Sequence, residues 1–241
     1  MTEQLSALWQ TAFGDSPEFI RLFFSTAYAP ERCQYLTVEG HLAAALYWLD
    51  AWCGGEKLAY IYAVATHPDF RGRGLCRRLM DRTHSLLASR GYAGALLCPA
   101  GEGLRRMYAA MGYRDCGGIE TFSTGAGAPA ALRRIGPEEY ARLRRRLLPE
   151  NGVIQEGENL RYLAAYAALY AGEDFVLAAV REQEKLVGVE LLGNREAAPG
   201  ILGALGCPSG TFRVPGHTPF AMFRPLRPNA EAPSYVGLAF D

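Results

Sequence analysis

The sequence carries no net charge, because 25 lysine and arginine residues balance 25 aspartate and glutamate residues. That balance gives no support to a nucleic-acid or membrane partner attracted by charge. The N-terminus lacks the basic region and long apolar run of a signal peptide. No stretch approaches the ~20 consecutive apolar residues that a membrane span needs. We therefore expect a cytoplasmic protein with neither a membrane partner nor a nucleic-acid partner.

Metal-binding patterns are also lacking. None of the six cysteines stands at a C-x-x-C spacing, so neither a zinc centre nor a redox centre has support. We expect reduced cysteines, most of them in the core. His67, His84 and His217 share no metal-ligand spacing and are expected at the surface. The sequence therefore predicts that the protein works without a metal.

The first half alternates helices and strands. Ser16 followed by Pro17 is a typical helix start. The continuous apolar run at 58–66 predicts a central strand covered on both faces. We expect helices near 5–13, 17–24, 75–90 and 104–111, and strands near 32–38, 41–52, 58–66, 93–98 and 113–122. The Glu39-Gly40 pair suits a hairpin turn between the first two strands.

A second half follows a glycine-rich linker at 124–129. Its pattern resembles that of the first half, although it contains no glycine-rich turn between a strand and a helix. We expect helices at 137–148 and 158–171, a hairpin at 174–182 and 185–192, and strands at 211–214, 220–224 and 235–240. The sequence thus predicts two domains, residues 1–122 and 130–241.

The strongest local signal is the segment Arg71-Gly72-Arg73-Gly74-Leu75-Cys76, which opens a helix directly after the central strand. The first amides of a helix lack internal partners and lie at the positive end of its dipole. Glycines let a ligand approach the backbone, and arginines can fork onto phosphate oxygens. The segment therefore predicts a pyrophosphate site. It is neither a dinucleotide fingerprint, because Arg77 stands at the third glycine position, nor a Walker loop, because Gly-Lys-Ser/Thr is absent.

This segment resembles the acetyl-CoA loop of the GNAT superfamily of N-acetyltransferases. That loop begins with arginine or glutamine, continues with two residues, a glycine and one more residue, and ends in glycine or alanine. Cys76 departs from the last position, where a small side chain is wanted. The resemblance implies acetyl-CoA as co-substrate, no metal, and a cofactor site formed by Val64, Ala65, Thr66, Arg71, Gly72, Arg73, Gly74, Leu75 and Cys76.

A second motif agrees with the resemblance. In the segment 104–113, Tyr108 is followed four residues later by Gly112-Tyr113, which is similar to the helix on the CoA side in GNAT enzymes. The resemblance implies that Tyr108 is the general acid for the departing thiolate. It also implies an α/β fold with a mixed, mostly antiparallel central sheet and flanking helices, followed by a second, degenerate GNAT-like unit. The parallel strands 58–66 and 93–98 should splay apart to admit the pantetheine arm.

The sequence does not identify the general base. GNAT enzymes often use a glutamate on the strand where Tyr60 and Tyr62 stand here. Asp50 and Glu120 could face the cleft, but we prefer to interpret them as solvated residues at strand ends. The tandem layout loosely resembles the enhanced-intracellular-survival-type aminoglycoside acetyltransferases, which use their C-terminal carboxylate as the base. That resemblance makes Asp241 a catalytic candidate.

The expected reaction moves an acetyl group from acetyl-CoA to a primary amine by direct attack in a ternary complex. The acceptor would be a small-molecule or peptide amine, and a homodimer is possible. One alternative is a catalytically silent CoA-binding or regulatory protein, which the missing base favours. Another is an RNA-associated protein that uses the run Arg142, Arg144, Arg145 and Arg146. Because the chain is neutral, we prefer a solvated arginine face for that run.

Overall fold

The computed structural model describes residues 1–240, and their contacts divide the chain into two units. The first unit contains Met1–Arg114 together with Phe223–Glu231, and the second contains Asp115–Met222 together with the segment from Ala232 onward. The contact division thus falls at 114/115, ahead of the predicted linker at 124–129. It also assigns the short segment Phe223–Glu231, near the C-terminal end, to the first unit.

The first unit forms from helices and strands close to those expected. Gly14, with φ of 79°, ends the first helix, and the Ser16 hydroxyl accepts a hydrogen bond from the Phe19 amide to cap the second. The elements up to residue 109 are α1 (Thr2–Phe13), α2 (Pro17–Thr26), β1 (Cys33–Val38), β2 (His41–Cys53), β3 (Glu56–Thr66), α3 (Leu75–Ser89), β4 (Gly94–Leu97) and α4 (Glu102–Ala109).

The remaining elements lie between residues 114 and 225. They are β5 (Arg114–Gly125), β6 (Arg133–Arg134), α5 (Pro137–Leu147), α6 (Glu158–Tyr166), β7 (Ala168–Ala171), β8 (Phe175–Glu182), β9 (Lys185–Gly193), α7 (Ala198–Leu205), β10 (Ser209–Pro215) and β11 (Thr218–Pro225). The hairpin of β8 and β9 is confirmed, with Glu182 opposite Lys185.

The strands of each unit follow one another in a mixed, mostly antiparallel order, which confirms the expected fold class. In the first unit the order is β1-β2-β3-β4, and the end of β11 lies beside β4. The β3–β4 pair is parallel, whereas β1–β2 and β2–β3 are antiparallel. In the second unit the order is β5-β10-β9-β8-β7-β6, in which only β10–β9 is parallel.

Residues Phe223–Glu231, which we call the returning segment, complete the first unit beside β4. The Leu226 amide donates to the Ala93 carbonyl at 2.9 Å, and Arg227 forms a salt bridge with Glu56. Gly94 allows the close approach, because a Cβ there would lie 2.1 Å from the Phe223 ring. The first unit is therefore not contained in the first half of the chain alone.

Two expectations for the second half were wrong, and one helix was missed. The helix predicted at 158–171 ends at Tyr166 and is followed by the strand β7. The segment 235–240 is not a strand, and a single bridge joins Tyr235 to Gly152. Its backbone is held instead by side chains, such as the Gln155 amide that donates to the Leu238 carbonyl. The helix α7 was not predicted, because its Pro-Gly dipeptide reads as a turn.

A fully buried ion pair lies in the core of the second unit. Arg144 of α5 donates through Nε and Nη2 to the two carboxylate oxygens of Glu190 in β9, at 2.7 and 2.9 Å. The hydroxyls of Tyr140 and Tyr235 donate to the same carboxylate at 2.8 and 3.0 Å. The prediction of a solvated arginine face was therefore wrong for Arg144, which shares the inward face of α5 with Tyr140.

Candidate active site

The turn that opens α3 leaves space in front of its backbone. Gly72 and Gly74 have φ of 75° and 71°, a left-handed conformation that glycine adopts without steric cost. A Cβ built on either residue would meet no atom of the described residues, 1–240, within 4 Å. The first helical bond runs from the Arg78 amide to the Gly74 carbonyl, and no bond in residues 1–240 uses the amides of residues 72–77. These amides are therefore free to bind an anion.

The same turn concentrates positive charge without a carboxylate partner. The first turn of α3 contains no acidic residue. Three of its arginines donate hydrogen bonds to main-chain carbonyls instead. Arg71 donates to Thr66 at 3.2 Å, Arg73 donates to Asp69 at 3.3 Å, and Arg77 donates to Ala110 at 3.1 Å. Within the described part of the chain, no salt bridge includes Arg71, Arg73, Arg77 or Arg78. The region favours a multiply charged anion.

Strand β3 carries a bulge just before this turn. Two residues of β3, 63 and 64, lie opposite the single Leu46 of β2. Ala63 has φ of 46°, a conformation that costs a non-glycine residue energy and that is frequent at functional sites. Pairing with β4 ends at Tyr60 opposite Leu96, although β3 continues to Thr66. The segment 64–66 therefore has an edge that β4 does not cover.

Tyr108 is the buried residue of α4, and its ring packs edge-on against Tyr113 with centroids 5.8 Å apart. Burial raises the pKa of the Tyr108 hydroxyl, and the nearby Cys76 thiol raises it further. Among residues 1–240 this hydroxyl makes no hydrogen bond. The structure thus brings together Tyr108 and the start of α3, because Cys76 lies in the first turn of that helix.

The Cys76 thiol is not activated as a nucleophile. Burial raises its pKa, an effect that the charge of Arg77 offsets only in part. A helix N-terminus often lowers a thiol pKa, but desolvation is the larger influence at this half-buried position. The structure therefore gives no support to Cys76 as a nucleophile.

The carboxylates considered as bases are engaged elsewhere. Asp50 accepts from Lys57 at 2.9 Å and from the Tyr92 hydroxyl at 2.5 Å, so it is not the solvated residue that we preferred. Glu120, in the second unit, is exposed and pairs with Arg195 at 3.2 Å. Tyr60 and Tyr62 lie on β3 with their rings stacked. Asp241 lies outside the described residues.

His84 and Arg224 are functional candidates that the sequence did not reveal. The expectation that His84 lies at the surface was wrong, because it is buried on the inward face of α3. It follows Met80 by four residues and precedes Leu87 by three, a spacing that could have indicated burial. Arg224 lies on the returning segment and donates a hydrogen bond to the Met111 carbonyl. The two residues are 113 positions apart in the sequence, so no local pattern indicates their contact.

Neither a metal-binding cluster nor a helix able to span a membrane is found among residues 1–240. Residues 1–240 contain no group of three histidine, cysteine, aspartate or glutamate side chains placed to hold a metal ion. In that same range, none of the helices is long and apolar enough to cross a membrane.

Residues 1–116 match the family model described as the acetyltransferase (GNAT) domain. Just under half of the chain is thus similar to the GNAT acetyltransferase domain. The open glycine turn, the β3 bulge and Tyr108 all lie within the GNAT domain, whereas Arg224 lies beyond it in the sequence. No curated protein sequence matches the chain significantly.

Solved structures share the fold over nearly the whole chain at low sequence identity. A GCN5-related N-acetyltransferase from Kribbella flavida is 18% identical with a TM-score of 0.69, over 92% of this chain and 68% of that one. One from Anabaena variabilis is 16% identical with a TM-score of 0.71, over 93% and 70%. Eis1 from Mycobacterium abscessus is 15% identical with a TM-score of 0.66, over 93% and 71%. The likeness therefore extends beyond the GNAT domain into the second half.

Proposed function

We propose that this protein transfers an acetyl group from acetyl-CoA to a primary amine by direct attack in a ternary complex. The observation that carries the proposal is the turn at the start of α3. Among residues 1–240, its amides at residues 72–77 have no hydrogen-bond partner, its glycines leave open space, and its arginines form no salt bridge with a carboxylate. In a GNAT acetyltransferase domain, such a turn suits the pyrophosphate of CoA.

With the pyrophosphate bound at the start of α3, the rest of acetyl-CoA would extend along β3 toward Tyr108. The pantetheine arm contains amide groups that can pair with an exposed strand edge. The uncovered edge of Val64, Ala65 and Thr66 offers such groups beyond the point where β4 stops pairing. The thioester would then lie beside Tyr108, whose ring is near Cys76 at the start of α3. No metal is needed in this arrangement, because the amides and arginines supply the positive charge.

In the proposed reaction, the amine nitrogen attacks the acetyl carbonyl and the carbon–sulfur bond breaks. The nitrogen gives one proton to a base, and the departing sulfur gains one from the Tyr108 hydroxyl, so the products are the N-acetylated amine and CoA. Transfer of the first proton from the base to the Tyr108 phenolate, through solvent, then restores both groups. The raised pKa of Tyr108 keeps this hydroxyl protonated before the thiolate forms. A thiolate that leaves at the same buried place would also be desolvated, and its proton affinity would rise as well.

Replacing Tyr108 with phenylalanine should lower kcat by about 10²-fold, the usual contribution of a positioned general acid. The affinity for CoA should stay nearly the same, because the ring and its contact with Tyr113 remain. Steady-state rates and calorimetric titration with CoA measure the two quantities separately. An unchanged kcat at saturating substrates would remove Tyr108 from the mechanism.

The acceptor class is tested by release of CoA thiol in the presence of a polyamine, an aminoglycoside, an amino acid and a peptide with a free N-terminus. At least one amine should raise the rate above that of hydrolysis. The rate should climb tenfold per pH unit below the amine pKa, because only the free base attacks. Since the pKa of Tyr108 is raised, deprotonation of this acid should not reverse the climb at mildly alkaline pH. CoA binding without turnover on any amine would instead favour the silent CoA-binding protein.

We also propose that the side-chain carboxylate of Asp241 accepts the amine proton. Support comes from the lack of a free carboxylate at the positions considered on β2 and β5, where Asp50 and Glu120 are engaged. The proposal further expects a small-molecule or peptide amine as partner, a possible homodimer, and neither nucleic-acid nor membrane binding.

A further inference from the structure

Three polar side chains form a connected network inside the first unit. The Nε2 atom of His84 lies 2.8 Å from the Tyr113 hydroxyl, and the Nδ1 atom lies 3.0 Å from Nη1 of Arg224. Because a guanidinium can only donate, Nδ1 must accept, and the single ring proton belongs on Nε2. Burial and the charge of Arg224 lower the pKa of His84 to about 3, so the ring remains neutral and able to accept.

Arg224 joins the two helices of the candidate active site. Its Nη1 atom donates to the Met111 carbonyl, just after α4, at 2.6 Å. The same atom contacts His84 in α3 and lies 3.9 Å from the Asp81 carboxylate of that helix. The guanidinium therefore fixes the C-terminal end of α4 against α3.

Tyr108 depends on the residues that this network holds. Its carbonyl accepts from the amides of Met111 and Tyr113 at 2.9 and 3.2 Å, and its ring packs on Tyr113. Its own hydroxyl makes no hydrogen bond among the described residues. The position of that hydroxyl is therefore set by the ring packing and the backbone rather than by a direct bond.

We propose that His84, Tyr113 and Arg224 are positioning residues that hold Tyr108 in place at the thioester. This inference rests on the proposed function for the role of Tyr108 as the acid. It assigns a part in the reaction to Arg224, which lies outside residues 1–116. The GNAT domain thus requires the C-terminal segment for turnover and not only for folding. A connected polar network suits this task, because its hydrogen bonds permit fewer arrangements than apolar packing.

The kinetic test compares Tyr113→Phe and Arg224→Gln in the wild-type and Tyr108→Phe backgrounds. In the wild-type background each variant should lower kcat by about tenfold, as expected for a small displacement of a catalytic group, and change KM for acetyl-CoA by less than about twofold. In the Tyr108→Phe background neither variant should lower kcat further, because nothing remains to be positioned. Equal losses in both backgrounds would overturn the proposal.

A second experiment, fluorine NMR, does not require an amine substrate. With 3-fluorotyrosine incorporated at residue 108, the fluorine NMR spectrum should show one narrow signal, which Arg224→Gln broadens or splits. The matched control is Arg227→Gln, which removes a salt bridge of the same returning segment with Glu56 and should leave the signal unchanged. An unaltered signal in Arg224→Gln would overturn the network even if the enzyme is active. A normal kcat in Tyr108→Phe would instead refute the acid role while the altered signal still supported the network.

Discussion

Replacing Arg144 with methionine should lower the free energy of unfolding by about 3–5 kcal/mol, because it leaves a buried carboxylate without its cation. Glu190 is completely buried in β9 and accepts four hydrogen bonds, two of them from Arg144. The arginine also donates to the Val153 carbonyl at 3.0 Å, a bond that methionine cannot replace. This loss would be a large share of the stability of a typical domain.

Urea unfolding of the intact protein measures this effect, and Arg145→Ala is the matched control. Arg145 is the next residue along α5, but it is exposed and pairs with Glu156 at the surface, so its loss should cost ~0–1 kcal/mol. The double variant Arg144→Met, Glu190→Leu should regain much of the lost stability, because no buried charge remains unpaired. Equal effects of Arg144→Met and Arg145→Ala would show that the buried pair is not a major source of stability.

Local patterns predicted most elements of the first unit. The cap at Ser16, the apolar run before Thr66 and the glycines that open α3 each act within a few residues. For the same reason the glycine turn that opens α3 could be found from sequence. The bulge at Ala63 could not, because it results from the pairing of β3 with β2 rather than from the type of residue at that position.

Long-range partners explain what the sequence did not reveal. Arg144 lies in a run of arginines, and its burial depends on Glu190, which stands 46 residues away. His84 became a core residue because Tyr113 and Arg224 satisfy its two ring nitrogens. The returning segment at 223–231 has no composition that marks it as part of the first unit. Such contacts follow from the tertiary fold and not from periodicity.

Replacing Gly74 with valine should weaken CoA binding by at least about 100-fold. At φ of 71° a β-branched residue is strained, and its side chain would project into the space where the pyrophosphate is expected. That space is open to the protein itself, so the main cost falls on the ligand rather than on packing. The expected loss corresponds to ~2.7 kcal/mol of binding free energy.

The matched control is Gly91→Val at the other end of α3. Gly91 has φ of 79°, and a Cβ there also meets no atom of residues 1–240 within 4 Å, so the backbone strain is similar while the glycine turn at the start of α3 is intact. Calorimetric titration with CoA should give near wild-type affinity for Gly91→Val and a Kd at least about 100-fold higher for Gly74→Val. Wild-type affinity in Gly74→Val, or equal losses in both variants, would contradict the placement of the pyrophosphate at the start of α3.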